Sequence, residues 1–271
     1  MTIRPLVSGD LPAVRTLIAE DPVTHCFVES RLDASQVLTV DLIGEDRDGT
    51  IESFVLLGAN IVPVATTPRS RAAFADWLRV RPRRCSSFVG PKHEVLDLWR
   101  LLEPSWGPAR DVRSEQPLLM ITTPPRVPGN PMVRKATRAD LDLLIPACVH
   151  MFTEEIGVSP YRGGGESAYR SRITEFVDQG RAFVWIEGGE IVFKAEIGSV
   201  SSAACHIQGV WVHPSRRGQG LATTAIAQVV EFAQELAPTV ALYVNDFNVT
   251  ARKAYHRVGF AEHTRFATVL F

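Results

Sequence analysis

The chain has 271 residues, enough for one large domain or two small ones, and we expect two. Its 29 Lys and Arg residues balance 30 Asp and Glu residues, so the net charge of −1 excludes a general binder of nucleic acid or anionic membranes. With 45% hydrophobic and 22% charged residues, the composition predicts a globular protein rather than a disordered one.

The beginning of the chain has a counterpart 130 residues later. Ile3–Leu11 and Val133–Leu141 share an arginine, an aspartate and a leucine at equal positions, and each predicts a short strand that enters a helix near the aspartate. At the same offset, Gly58–Val62 aligns with Gly188–Val192, and each predicts a turn between strands. Two blocks in one register indicate a tandem duplication.

A proline-rich segment divides the chain. Thr122–Pro131 contains four prolines and a glycine in ten residues, which removes backbone donors and disfavours a helix or a central strand. We therefore predict a first domain over residues 1–123, a linker over 124–131 and a second domain over 132–271.

The second half alternates strand and helix patterns. The predicted elements are a strand over 132–136, a helix over 139–152, a loop with a helix over 153–179, strands over 182–187, 190–199 and 204–212, a helix over 219–236, a strand over 239–245 and a helix over 249–258. This order predicts an α/β fold with a mixed sheet and helices on both faces.

The most informative segment is a strand, a glycine-rich turn and a helix. Val210–Val212 form the strand, Arg216–Gly220 the turn, and the apolar helix pattern begins at Leu221. This arrangement directs backbone N–H groups and a helix N-terminus at one point, which suits a phosphate or pyrophosphate. The phosphate loop of ATPases is excluded because no lysine follows the turn, and the third glycine of the dinucleotide fingerprint is missing.

The segment Arg217–Ala222 resembles the R/Q-x-x-G-x-G/A motif of the GNAT acyltransferases, and the V-x-V-x-P pattern before it resembles that family's preceding strand. A second segment, Leu242–Phe260, is similar to the family's late strand and helix: an Asn follows the strand, and the helix carries a Tyr and ends at Gly-Phe. The resemblance covers residues 132–263 and implies a GNAT fold that binds acetyl-coenzyme A, with no metal.

The resemblance also implies a set of coenzyme contacts. They are Val210, Trp211, Val212, Arg216, Arg217, Gly218, Gln219, Gly220, Leu221, Ala222, Asn248 and Tyr255. In the family, the strand holding the first three splays from the next strand, so that its backbone pairs with the pantetheine arm and one N–H polarises the thioester oxygen. The side chains of this strand are expected in the core.

Three residues are candidates for catalysis. Tyr255 occupies the position from which this family protonates the departing thiolate, although packing would also explain it. We expect a hairpin centred on Ser201 and Ser202 that places Glu196 opposite His206, which would act as the base. Histone-acetylating members carry a Glu at that place, so a histone substrate is put in doubt. The alternatives are an ordinary half-exposed strand residue for His206 and, for Glu196, a surface ion pair with Lys194 or His206.

The acceptor side is less defined. Glu154 and Glu155 lie where the family places its acceptor loop and are expected to attract a cationic amine. The acceptor itself stays open between small molecules and peptides. The competing function is a non-catalytic sensor of acyl-coenzyme A, which needs the glycine turn but neither a Tyr nor a base.

The first half also alternates strand and helix patterns, but it lacks the glycine turn and the tyrosine of the second half. Ala65–Leu78, after the predicted strand Ile61–Val64, contains no glycine, and the later helix His93–Glu103 contains no Tyr. It looks like a degenerate GNAT-like half, and the architecture resembles bacterial tandem GNAT proteins. The four cysteines are scattered and no apolar run reaches the ~20 residues of a membrane span, so we expect a cytoplasmic protein.

Overall fold

The computed structural model describes residues 2–34 and 41–271. It divides into two compact units, each discontinuous along the chain. Unit 1 comprises Met1–Leu119, Tyr243–Asn248 and Glu262–Phe271, and unit 2 comprises Met120–Leu242 and Val249–Ala261. The sequence prediction kept all residues after 131 together, whereas two segments from that part of the chain belong to unit 1.

The elements follow in chain order. The first are β1 (Thr2–Pro5), α1 (Leu11–Ala19), α2 (Cys26–Ala34), β2 (Asp41–Arg47), β3 (Thr50–Leu57), β4 (Asn60–Val64), α3 (Pro68–Arg79), β5 (Ser87–Pro91), α4 (Lys92–Trp106) and β6 (Asp111–Ile121). There follow β7 (Arg134–Lys135), α5 (Leu141–Ile156), α6 (Glu166–Asp178), β8 (Ala182–Glu187), β9 (Glu190–Val200), β10 (Ala204–Val212), α7 (Leu221–Gln234), β11 (Thr239–Tyr243), α8 (Val249–Val258) and β12 (Ala261–Leu270).

Both units contain the same mixed sheet. In unit 1 the strands run in the order β1-β2-β3-β4-β5, antiparallel until β4 and parallel between β4 and β5. In unit 2 the order is β7-β8-β9-β10-β11, again antiparallel until the last, parallel pair. The predicted α/β fold and its tandem organisation are therefore confirmed.

The repeated start of each unit is the same structure. Arg4 donates two hydrogen bonds to Asp10 at 2.8 and 2.9 Å, and Arg134 donates two to Asp140 at 2.8 Å. In each unit the aspartate also accepts the backbone N–H three residues before it, at 2.8 Å, so it caps the short 3₁₀ turn that leads into α1 or α5. The sequence repeat identified a real structural equivalence here.

The second repeated block is not equivalent in the two units. Both blocks are turns between strands, as predicted, but Gly58–Val62 contains the turn from the third strand of unit 1 to the fourth. Gly188–Val192 contains the turn from the second strand of unit 2 to the third. The shared offset at this place is therefore a coincidence, and the duplication rests on the first block and on the strand order.

Helices cover both faces of each sheet. In unit 1, Val14, Val28 and Phe54 belong to a core beneath α1 and α2, while Phe74 and Trp99 belong to one beneath α3 and α4. In unit 2, a core of apolar residues lies between α5, α6 and the sheet. α7 packs against β9, β10 and α8. Within the described residues, no helix is long and apolar enough to cross a membrane.

The strand β12 completes unit 1 although it comes last in the chain. Residues 266–270 pair antiparallel with residues 87–91 of β5. Ala267 and Val269 are fully buried in the core with Phe88, and the ring of Phe271 lies 5.6 Å from that of Phe88. The core of unit 1 is therefore built from segments far apart in sequence.

Candidate functional site

The start of α7 offers an open backbone cradle. Gly218 and Gly220 have φ angles of +78° and +75°, a region that residues with a Cβ rarely adopt. A Cβ on either glycine would meet no heavy atom within 4 Å, so the space above both is open. Gly220 is the N-cap of α7, and no side chain among the described residues caps this helix. Its first amides are therefore available to an anion.

β10, the strand before this turn, diverges from β11, the strand that follows α7. β10 and β11 pair in parallel only at Ala204, Cys205 and His206, and the pairing stops at the His206–Ala241 pair. Beyond it β10 continues to Val212 on β9 alone. The divergence begins on the side of the sheet from which the chain enters the glycine turn, as the family resemblance implied.

A bulge at Gly209 bends β10 in the diverging part. Gln208 pairs with Glu196 and Trp211 with Lys194, so three steps along β10 match two along β9. Gly209 has a φ of +61°, which permits the bulge. The N–H of His213 donates to the carbonyl of Val192 at 2.9 Å. Because the N–H groups of successive residues in a strand point to opposite sides, the N–H of Val212 points away from β9.

Both arginines of the turn have protein partners. Arg217 donates to Glu154 at 2.8 Å through a terminal nitrogen and to the carbonyl of Val212 at 3.0 Å through Nε. Arg216 donates to Glu187 at 2.6 Å. Both pairs are partly exposed, so an incoming anion would compete with carboxylates in a solvated setting rather than break buried pairs.

The end of α5 lies beside the glycine turn and α8. Glu154 also accepts a hydrogen bond from Nε1 of Trp211 at 3.0 Å, and its contact with Arg217 lowers the pKa of its carboxyl. Burial raises the pKa of Tyr255, and the charge of Glu155 raises it further. Glu154 and Glu155, which were predicted to bind the acceptor, thus lie close to residues that were predicted to bind the coenzyme.

The remaining predicted contacts are divided between surface and core. Gln219 is exposed, Leu221 and Ala222 are half-buried, and Asn248 is exposed directly before α8. Val210 and Val212 are half-buried, whereas Trp211 is buried in the core beneath α5 and α6. Of these three side chains, which were expected in the core, only that of Trp211 is buried.

The predicted pairing of Glu196 with His206 is wrong. Glu196 lies opposite Gln208, and His206 lies opposite Ser199. The turn is centred one residue later than predicted, because Ser201 forms the closing pair with Ala204 and its hydroxyl bonds the backbone of Ala204. Gly198 adds a further irregularity to β9. His206 is also buried rather than half-exposed.

Glu196 belongs instead to a buried charged pair. Its Oε1 accepts from Nζ of Lys194 at 2.6 Å, and the two residues are 4% and 0% exposed. Burial opposes the charge of each, yet the partner outweighs it, so the pKa of Glu196 is lowered and that of Lys194 is raised. Sequence reasoning gave an ion pair of Glu196 with Lys194 only as an alternative, and placed that pair at the surface. A lysine inside the apolar run of β9 was the available signal.

The matching place in unit 1 is closed by its own side chains. The Thr66 N–H, just before α3, donates to Glu94 at 2.8 Å, and the Thr67 hydroxyl caps α3 by accepting from the N–H of Ser70. Arg71 donates to the Thr66 carbonyl at 2.6 Å. The amides that are open at α7 are thus used internally at α3.

Two family models match the chain. Residues 150–260 match the Acetyltransferase (GNAT) family, and residues 40–144 match a domain of unknown function, DUF4081. No curated protein matches. Within the part of the chain that is described, no group of three His, Cys, Asp or Glu residues could hold a metal ion.

Solved structures similar to this chain include three acetyltransferase folds. A GNAT acetyltransferase from Colwellia psychrerythraea has 12% identity, a TM-score of 0.62 and full coverage of both chains. A GCN5-related N-acetyltransferase from Sphaerobacter thermophilus has 17% identity and a TM-score of 0.63, over 98% of this chain and 94% of that one. A tandem GNAT protein of the clavulanic acid pathway has 15% identity and a TM-score of 0.55, over 98% and 97%.

These likenesses extend the GNAT fold beyond the matched segment, in agreement with the strand order that both units share. Residues 150–260 therefore match the GNAT acetyltransferase family, and the fold of a tandem GNAT protein extends over nearly the whole chain.

Proposed function

We propose that unit 2 transfers an acetyl group from acetyl-coenzyme A to an amine by direct attack in a ternary complex. The observation that carries this proposal is the combination of the divergence of β10 from β11 after His206 with the open glycine cradle that follows at α7. A long ligand with a pyrophosphate at one end and an extended arm fits both features. Acetyl-coenzyme A is such a molecule, and its thioester supplies the activated acyl group.

The residues that would hold the coenzyme are mostly backbone. The amides from Gly218 to Ala222 would take the pyrophosphate, with Arg216 and Arg217 beside them. The backbone of Val210–Val212 would pair with the pantetheine arm, and the amide of Val210, directly after the bulge, would donate to the thioester oxygen. Asn248, before α8, belongs to unit 1 and stays a prediction of the sequence alone.

The contact of Arg217 with Glu154 links coenzyme binding to the acceptor side. A pyrophosphate near the cradle would compete with Glu154 for the guanidinium of Arg217. The carboxylate released in this way, with its neighbour Glu155, would then be available to a protonated amine. We therefore propose that coenzyme binding precedes acceptor binding.

Tyr255 is the proposed proton donor to the departing thiolate. Its phenol is protonated at neutral pH, as that of an ordinary tyrosine is, so a proton is present to donate. The effect of Glu155 on its pKa supports a position of Tyr255 close to the acceptor-binding end of α5.

His206 is the proposed base. It forms the last pair before β10 and β11 diverge, at the narrow end of the gap that the acyl group would approach. The remaining catalytic power would come from holding the two reactants together.

The direct test is a screen of small-molecule and peptide amines that detects thiol release from acetyl-coenzyme A, combined with calorimetry of coenzyme binding. We expect one coenzyme per chain and turnover with at least one class of amine. Binding without thiol release from any acceptor would favour the acyl-coenzyme A sensor. Two equivalent sites per chain would contradict the assignment of the site to unit 2.

A further inference from the structure

The buried pair of Lys194 and Glu196 lies directly beneath the bulge of β10. A Cβ on Gly209 would come within 3.0 Å of Nζ of Lys194 and 3.2 Å of Oε2 of Glu196. The charged groups thus occupy the space that any side chain at the bulge would need. This contact, together with the positive φ of Gly209, explains why glycine stands here.

Further polar contacts hold the pair in place from two sides. Oε1 of Glu196 lies 3.4 Å from Sγ of Cys148 on α5, and Oε2 accepts from Nε2 of Gln208 at 3.4 Å. The side chain of Gln208 in turn lies over Gly198, where a Cβ would overlap its Oε1. The carboxylate therefore connects α5, β9 and the residue immediately before the bulge.

Stability alone is a weak reason for such a pair. Burying two charges costs desolvation free energy, and apolar residues of similar size often replace a buried pair without loss. Its location suggests a geometric role instead. Bulges redirect the backbone beside active sites, and the amide after this bulge is the proposed donor to the thioester oxygen.

We propose that Lys194 and Glu196 are positioning residues for acyl transfer: their ion pair supports the bulge at Gly209 and so fixes the direction of the Val210 N–H toward the thioester carbonyl. This inference rests on the proposed function. Neither side chain contacts the reacting atoms in this scheme. The pair acts through the backbone of β10, and the cradle at α7 does not depend on it.

The test is the double variant Lys194→Met with Glu196→Gln, which removes both charges and nearly keeps the volumes. Acetyl-coenzyme A labelled with ¹³C at the carbonyl is bound to excess protein, and the C=O stretching band is measured by isotope-edited infrared spectroscopy. In the wild type we expect the band at lower frequency than in free acetyl-coenzyme A. In the variant we expect most of that shift to be lost, while calorimetry gives a Kd within about threefold of the wild-type value.

Turnover provides the second readout. We expect kcat of the double variant to fall at least about tenfold, with the KM for acetyl-coenzyme A nearly unchanged, because a misdirected donor stabilises the transition state less. The matched control is Arg138→Met with Asp178→Asn, which removes an exposed ion pair of 2.7 Å from the same unit. That control should keep both the band and kcat.

Gly209→Ala is the second variant, in case the double variant does not fold. This variant keeps both charges but places a methyl group 3.0 Å from Nζ of Lys194. It should lose the shift of the carbonyl band in the same way. A wild type that fails to bind acetyl-coenzyme A would remove the proposed function, and this inference with it. A wild type that binds without a carbonyl shift, or a folded variant that keeps both shift and kcat, would overturn the inference alone.

Discussion

Single residues at the end of α5 connect the two sides of the site. Glu154 contacts Arg217 and Trp211, and Glu155 acts on Tyr255 through its charge. Sequence reasoning named all five of these residues for binding or catalysis but had no means of pairing them. The pairs depend on where the last turn of α5 ends, and the family motifs do not include that turn.

Replacing Tyr255 with Phe tests the proton donor. We expect kcat to fall by about 10²-fold while the Kd for coenzyme A stays the same, because only the hydroxyl is lost. Steady-state kinetics and calorimetry measure the two quantities. Tyr169→Phe is a suitable control, because it also removes a phenol hydroxyl from unit 2, one bonded to the carbonyl of Cys148 at 3.1 Å. Unchanged turnover would show that Tyr255 serves packing and is not the proton donor.

Replacing Glu154 with Gln tests the competition for Arg217. We expect coenzyme A to bind about two- to fivefold more tightly, the size of an exposed ion pair, because the guanidinium is released. The acceptor KM should rise at the same time. Glu235→Gln, which removes an exposed pair with Lys135, is the control. Weaker coenzyme binding would mean that Glu154 orders the cradle rather than competing with it.

At the scale of elements, the sequence predicted the ends of helices and strands well, but it did not predict the register between paired strands. The boundaries of β8, β10 and α8 agree with the sequence prediction because glycine, serine or asparagine stands beside their ends. The register between β9 and β10 was misjudged, since it depends on a serine that joins the closing pair and on two local irregularities. Such features arise from the packing of side chains on both faces of the sheet.

The glycine cradle can be tested with a matched pair of variants. Gly220→Val should raise the Kd for coenzyme A about 100-fold or more, because a branched Cβ fills the anion space. Gly189→Val, in the turn between β8 and β9, imposes the same kind of strain at a φ of +79°, where a Cβ also meets nothing. Both should lose similar stability in thermal unfolding. Equal loss of coenzyme binding in the two variants would contradict a cradle at Gly220.

The repeated aspartate caps predict a pH dependence of stability. The contact with Arg134 holds the pKa of Asp140 below its usual value of 3.8, and the contact with Arg4 does the same for Asp10. Each ionised carboxylate therefore stabilises the folded state fully above pH 3.8, and the contribution is lost as the pH falls below that value.

The variants Asp140→Asn and Asp10→Asn measure that contribution. Each should lower the free energy of unfolding by about 1 kcal/mol at pH 7. The difference from wild type should shrink toward zero as the pH falls below 3.8. Urea unfolding across this pH range checks it. A difference that stayed constant into acid would show that the caps act through shape rather than charge.

At the scale of the whole molecule, the chain order and the structural order differ. The tandem repeat could be predicted from one repeated block, but the assignment of β12 to unit 1 could not. No local pattern in residues 262–271 distinguishes a partner in β5 from one nearer in sequence. The contact of Glu94 with Thr66 could not be predicted from the sequence either, because it joins residues 28 apart at the start of α3.

A fragment of residues 1–123 should therefore not fold by itself. It lacks the strand that pairs with residues 87–91 and the buried side chains of Ala267 and Val269. We expect weak, non-cooperative unfolding by circular dichroism, and a gain of structure when a peptide of residues 262–271 is added. A peptide with Ala267 and Val269 changed to Asp is the control. A cooperative fragment without the peptide would refute the prediction.

This order also has a consequence during synthesis. The 142 residues between Leu119 and Glu262 must be translated before β5 can receive its partner, which at typical speeds of ~5–20 residues per second takes about 7–30 s. During that time the nascent first unit presents an unpaired strand edge with Phe88 beside it. Open edges of this kind invite pairing with other chains. The nascent protein is thus most exposed to aggregation in the interval when its second unit is being made.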